Sequence, residues 1–271
     1  MFENHRVFET TFAGRPLKVE TGKTCALANG SCWVTYGETV VMGNVTMSAK
    51  PRDGVDFFPL SVDYEEKLYS VGKIPGSFLK REGRPTENAI LTSRMIDRPM
   101  RPLFPEGLRN DVSIVTTVLA SDIDNAPEIT ALIAASIAVS ISDVPFNGPI
   151  AGVNVGLVDG EIVLNPNQEQ RAVSDLDLTV AASAEKVVMI EAGANEVPDD
   201  KMLEAIRVAH EEIKKMVAFI KHVQDEIGKP KIEFQKVGVN PEFYQAVADL
   251  ATEKVKYALD TDDKNVREAR L

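Results

Sequence analysis

The chain holds little of what metal and redox chemistry require. It has two cysteines, Cys25 and Cys32, seven apart and without a neighbouring His or Cys, so zinc spacing is absent and reduced, buried thiols are expected. The three histidines, His5, His210 and His222, are scattered and fall in no metal motif. Long apolar runs are missing too: the longest, Ile129 to Ile141, is too short and too rich in serine to span a bilayer. Met1 opens no stretch with the basic and apolar parts of a signal peptide, so a cytoplasmic protein without membrane contact is expected. Positive charge is scarce overall, with a net charge of −11, which argues against a general nucleic-acid coat. At 271 residues and 44% apolar content, one large domain plus a smaller piece is the expected division.

Against that acidic background the stretch Gly72 to Arg109, GKIPGSFLKREGRPTENAILTSRMIDRPMRPLFPEGLR, stands apart. It sets Lys73, Lys80, Arg81, Arg84, Arg94, Arg98, Arg101 and Arg109 against only Glu82, Glu87, Asp97 and Glu106. A local excess of cations inside an anionic chain focuses field on one surface and predicts anion binding there. A solvated surface with loose ion pairs is the bland alternative. Gly72, Pro75, Gly76 and Gly83 interrupt regular structure, so Ser77 to Arg84 is predicted to be a loop. Phe78-Leu79-Lys80-Arg81 then places a ring and an apolar neighbour beside two cations, the pairing that holds single-stranded nucleic acid by stacking and phosphate contact. Thr86 reads as the N-cap of a helix ending near Arg98, because Pro99 follows. Arg94 and Arg98, four apart, share one face of it, with Arg101 just beyond. A guanidinium fork meets a phosphate with two hydrogen bonds.

The rest predicts an α+β domain. Strands are expected at Val7–Phe12, Leu17–Thr21, Ser31–Tyr36, Thr39–Met47, Val112–Ala120, Ile150–Val158, Glu161–Leu164, Leu176–Ala182 and Lys186–Ala192, with turns at Gly14, Asn29-Gly30, Tyr36-Gly37 and Asp159-Gly160. Ile129 to Ser142 is apolar on every side and predicts a buried helix. Met202, Ile206, Ala209, Ile213, Met216, Ile220, Val223 and Ile227 alternate steps of four and three in a helix starting after Pro198 and stopping at Gly228. Its length is roughly 44 Å at 1.5 Å per residue. A coiled-coil seam and packing along the domain's own sheet are both open, and small Ala209 favours the second. Gly228 to Gly238 reads as a linker, Asn240-Pro241 opens a helix to about Leu259, and Asp260 to Asp263 opens another. The boundaries expected are 1–235 and 236–271.

DGVDFFPLSVDYEEKLYSVGKIPGSFLKREGRP and SRMIDRPMRPLFPEG closely resemble the polynucleotide phosphorylase family, in the first of its two RNase PH-like domains. The likeness runs from Met1 to Leu271 and implies an α+β RNase PH-like layered domain followed by the start of an all-helical domain. Family members are much longer, so the resemblance implies an N-terminal fragment. It further implies 3′→5′ phosphorolysis of RNA to nucleoside diphosphates by the whole enzyme, using inorganic phosphate and Mg²⁺, in a homotrimeric ring that takes single-stranded RNA. No degradosome-type partner is named by these residues. In the family, a loop at the positions of Phe78, Lys80 and Arg81 lines the RNA entrance. This copy reads Phe-Leu-Lys-Arg where many members read Phe-Phe-Arg-Arg, which softens the contact.

The family's catalytic groups lie in the second RNase PH-like domain. Aligned on that copy, its phosphate-cradling serines fall here on Ala126, Pro127 and Glu128, and its metal-binding carboxylates on Asn165 and Arg171. Asp175 and Asp177 remain, as structural residues on this reading, and a shifted loop would bring Glu161 or Glu169 into range. No catalytic residue, metal ligand or cofactor is therefore expected in this chain itself. The expected RNA-binding set is Phe78, Leu79, Lys80, Arg81, Arg84, Arg94, Arg98 and Arg101. A stand-alone RNase PH-type exoribonuclease and a purely structural assembly domain are the alternatives.

Overall fold

A computed structural model describes residues 4–78, 82–234 and 239–271. The chain divides into two compact units, Met1–Phe234 and Gln235–Leu271. In the first, six strands form one sheet: β1 Arg6–Phe12, β2 Arg15–Thr21, β3 Gly30–Tyr36, β4 Thr39–Met47, β5 Leu60–Glu66 and β6 Val112–Ala120, in the order β1-β2-β3-β4-β6-β5. All neighbours are antiparallel except β5 and β6, which pair in parallel from Leu60↔Val112 to Glu66↔Val118. Parallel neighbours need a crossover, and it is the basic stretch, with helix α1 Glu87–Met100, that supplies it.

A second, antiparallel sheet has the order β10-β9-β7-β8, built from β7 Ala151–Val158, β8 Glu161–Leu164, β9 Leu176–Ala182 and β10 Val187–Ala194. Asp159 and Gly160 turn β7 into β8 with φ of 50° and 81°, the left-handed pair that a two-residue hairpin needs. Helix α2, Pro127–Ile141, lies between the sheets and packs on β3, β4, β6 and β7, with Ile129 to Ile141 buried throughout. Its apolar circumference has this cause: no side of it meets water. Helix α4, Asp199–Ile227, buries Ala209, Ile213, Met216, Ile220 and Val223 against α2, β7, β9 and β1, so its seam serves the domain's own core.

Four local expectations are corrected. Helix α1 passes Pro99 and ends at Met100. Pro99 donates no hydrogen bond, but Pro99 and Met100 are buried, and Arg101 ties back to Asp97. Cys25 is exposed rather than buried, because β2 and β3 are joined by a wide loop instead of a tight turn at Asn29-Gly30; Cys32 is buried as expected. Residues 229–234 are no free linker: the Lys229 and Ile232 N–H groups donate to the carbonyls of Ile141 (3.0 Å) and Asp143 (2.9 Å). Strand β5 and the short helix α3, Gln168–Val173, with its Asn167 capping box, were not expected.

The second unit holds α5 Pro241–Leu259, capped by Asn240, and α6 Lys264–Arg270, capped by Asp263. Arg270 stacks 4.4 Å from the Tyr257 ring and fastens the pair. No helix of the described residues is long and apolar enough to cross a membrane.

Candidate nucleic-acid interface

The basic crossover begins as a built loop. After β5 a 3-10 turn, Leu68–Val71, closes on Gly72 in the left-handed region. The Leu68 N–H donates to Glu82 Oε1 at 2.6 Å, so the two ends of the loop are tied at its base. Between them Phe78 stands 77% exposed. Leu79, Lys80 and Arg81 lie outside the described residues. Arg84 is exposed ahead of Thr86, whose hydroxyl caps α1 by accepting from the Ala89 N–H at 3.1 Å.

Helix α1 buries Ala89, Thr92, Ile96, Pro99 and Met100, and packs on β5 and α2, which turns Arg94 and Arg98 outward. The arginines then part in role. Arg84 and Arg94 have no ion pair among the described residues. Arg98 Nη1 reaches Glu191 Oε2 on β10 at 3.1 Å, an exposed pair of small energetic weight that leaves other donors free. Arg101 is a fastener. Its Nε and Nη2 fork onto Asp97 at 3.0 and 2.6 Å, and its Nη groups reach the Phe58 and Leu60 carbonyls, binding α1 to the start of β5. Glu82 and Glu191 carry no local signal for these roles, since their partners lie 14 and 93 residues away.

A second feature lies at the N-terminus of α2, where a cleft of about 640 Å³ is lined by Glu128, Asp122, Asp177, Glu191, Arg171 and Asn154, among others. Ala126 offers no side-chain cap, Pro127 has no N–H, and Glu128 sits in the first turn. Four carboxylates and one guanidinium thus line the cleft, and Arg171 commits two of its five N–H groups to the Pro166 and Ile123 carbonyls at 2.8 and 2.6 Å. Asn165, at φ 46°, accepts from the Asn154 N–H and donates to the Tyr36 hydroxyl, both at 3.0 Å. Burial raises the Tyr36 phenol above its ordinary range, so it stays protonated. Tyr64 is raised likewise, by burial first and then by the charges of Glu128 and Glu66. The Asp122 carboxyl is held low, chiefly by the Asp124 N–H.

This donor set does not fit Mg²⁺. Both amide ends of Asn165 are used, Arg171 is a cation, and among the described residues no three His, Cys, Asp or Glu side chains are grouped to hold a metal. Phosphate fares no better, because the helix start lacks one N–H and carries a carboxylate.

Known proteins resemble the chain over most of its length. The model of the 3′ exoribonuclease family, domain 1, matches residues 13–145, and that of domain 2 of the same family matches residues 148–212. Over 264 residues the chain is 60% identical to a polyribonucleotide nucleotidyltransferase of Clostridioides difficile, covering 97% of this chain and 37% of that protein. It is 57% identical over 264 residues to the protein of the same name from Ruminiclostridium cellulolyticum, covering 97% and 38%. The chain therefore spans less than two-fifths of the length of these relatives. The crystal structure of rice Rrp46 shares the fold, with a TM-score of 0.62 at 13% identity over 81% of this chain and 94% of the other. With two adjoining models of one family matching residues 13–145 and 148–212, well over half of the chain, the chain belongs to the 3′ exoribonuclease family.

Proposed function

We propose that this chain is the RNA-receiving part of a phosphorolytic 3′→5′ exoribonuclease, and that it is itself catalytically silent. In the whole enzyme inorganic phosphate attacks the terminal phosphodiester; a new P–O bond forms, the bond to the 3′-oxygen of the preceding nucleotide breaks, and a nucleoside diphosphate leaves. Mg²⁺, when bound in the catalytic half of the longer protein, supplies charge neutralisation for that displacement. Residues of this chain do other work. Phe78 stacks a base, while Lys80, Arg81, Arg84 and Arg94 meet phosphates and Arg98 adds a partly neutralised charge. Leu79 flanks the ring, and Arg101 holds α1 in register. The reading extends to a homotrimer in the cytoplasm, in which three copies surround one RNA path. It is carried by one observation: an exposed aromatic on a loop tied at its base, followed along the chain by Arg84 and Arg94, which have no ion pair among the described residues.

A structural reading is favoured by the in-house bonds of Arg98 and Arg101, and binding assays separate the two. Replacing Lys80 and Arg81 with Ala is expected to weaken binding of single-stranded poly(A) and lower its salt slope by about 0.7 per lost phosphate contact. Phe78→Ala is expected to cost about 1–3 kcal/mol with the slope nearly unchanged. Equal affinity and slope in the wild type and the double variant would refute an RNA entrance.

A further inference from the structure

At the other end of α2, about 21 Å along the helix from Pro127, lies a cleft of about 890 Å³. Its rim is the loop from Gly22 to Asn29, and Ile141 and Ile227 provide apolar surface. Three cations line it, Arg6, Lys23 and Lys229, and among the described residues no Asp or Glu does. In a chain of net charge −11 this is unusual. The cleft at the N-terminus of α2 carries four carboxylates, and the groove beside β5 pairs its Arg52 with Asp111 at 2.6 Å.

Cations near the C-terminal end of a helix ordinarily serve its free carbonyls. Lys231 does so here, donating to the carbonyls of Val139, Ser140 and Ser142 at 2.7–2.9 Å. Lys229 spends one proton on the Asn29 carbonyl at 2.7 Å and keeps two. Arg6 and Lys23 sit on the strand side and bond no helix carbonyl. Arg6 makes one contact, Nη1 to the His5 carbonyl at 3.1 Å. Lys23 stands 3.8 Å from Glu20 and 5.2 Å from the centre of the Trp33 ring. Glu20 lies nearer to Lys18 at 3.0 Å, the first cause of its lowered pKa, and to His5 at 3.3 Å, so Lys23 shares that carboxylate with two other groups.

The rim is preformed. Ser31 Oγ donates to the Thr24 carbonyl at 2.9 Å, Trp33 Nε1 to Thr24 Oγ1 at 2.8 Å, and the Asn29 N–H to the Val45 carbonyl at 2.9 Å. Gly22, at φ 72°, lets the turn pass under the Asn4 carbonyl, where a side chain would collide. A fixed cavity of this size suits one small molecule. A nucleic-acid strand would need charge beyond the rim, where Ala26 and Leu27 are exposed instead.

We propose that this cleft is a second anion site, outside the RNA path, that binds a diphosphate group, free or carried on a nucleoside. The inference does not depend on the RNA reading, because it uses none of the same residues.

Trp33 is the chain's one tryptophan and touches both Lys23 and Thr24, so its emission reports on the cleft. Pyrophosphate, ADP and adenosine are titrated into the 271-residue chain without metal, followed by calorimetry and by Trp33 emission. Saturable binding of pyrophosphate and ADP is expected, with none of adenosine. Tighter binding of ADP identifies a nucleotide as the occupant, and equal affinity identifies the bare diphosphate. The Arg6→Ala/Lys23→Ala variant is expected to bind at least about tenfold more weakly, since two of the three cations that line the cleft are lost. The Lys23→Gln variant guards against misfolding of the double variant and is expected to weaken binding in the same sense. Arg52→Ala, in the groove beside β5, is expected to leave it unchanged. The proposal is overturned by absence of saturable binding, by unchanged affinity in the folded cleft variants, or by a Trp33 response to poly(A) that pyrophosphate does not produce.

Discussion

Incubated with labelled poly(A), inorganic phosphate and Mg²⁺, the purified chain is expected to release no ADP. The cause is the sign of the charges at the N-terminus of α2. Glu128 puts a carboxylate in the first turn of that helix, Pro127 removes one of its N–H groups, and Arg171 adds a cation to the same cleft. Phosphoryl transfer depends almost wholly on positioning and charge stabilisation, so losing both anion cradle and metal ligands removes the catalytic contribution rather than reducing it. Asp177 lines the cleft and Asp175 does not, and two bonds of Asp175 are made by its backbone, to Leu157 and Asn195. Arg84 and Arg94 can attract a phosphate ion, but they lie on the crossover and bring no metal with them. Turnover that survives removal of the host's own enzyme, and that disappears in Asp175→Asn/Asp177→Asn, would show an active site in this chain.

How much of the molecule could be read from its residues depended on how local each cause is. Helix α4 was legible to its ends, since Pro198, the acidic first turn and Gly228 are all local signals, and its seam repeats along the helix. The buried helix α2 was legible from composition alone, though its start at Pro127 fell two residues before the first apolar position. Strand β5 was not. LSVDYEE ends in acids, buries only Tyr64, and is a strand because β6 lies beside it in parallel, a partner about fifty residues away. The charged surface shows the same division. The excess of cations between Gly72 and Arg109 is visible in the sequence, but the separate fates of Arg94, Arg98 and Arg101 are set by Glu191, Phe58 and Leu60. The anchoring of Arg171 to two backbone carbonyls at the α2 cleft is likewise something that no spacing announces.

Gly43→Ala is expected to destabilise the chain by about 1–2 kcal/mol, although it removes a glycine from the middle of a strand. On propensity alone the change should help, by about 0.5–1 kcal/mol, because glycine loses the most backbone freedom on folding. Packing decides otherwise. A Cβ on Gly43 would lie 2.7 Å from the Ala134 carbonyl oxygen and 2.8 Å from its carbon, both backbone atoms of α2. That helix is buried on all sides between two sheets, so neither the strand nor the helix can withdraw without opening the core elsewhere. Overpacking of this kind costs about 1–3 kcal/mol and occasionally more, which exceeds the propensity gain. Gly193→Ala on β10 is the control. It too is a strand glycine, but nothing lies within 4 Å of its would-be Cβ, so its change should stay within about 0.5 kcal/mol or be slightly stabilising. Urea unfolding of the two variants beside the wild type measures both, and equal midpoints for Gly43→Ala and Gly193→Ala would mean that α2 does not press on β4 as closely as this geometry requires.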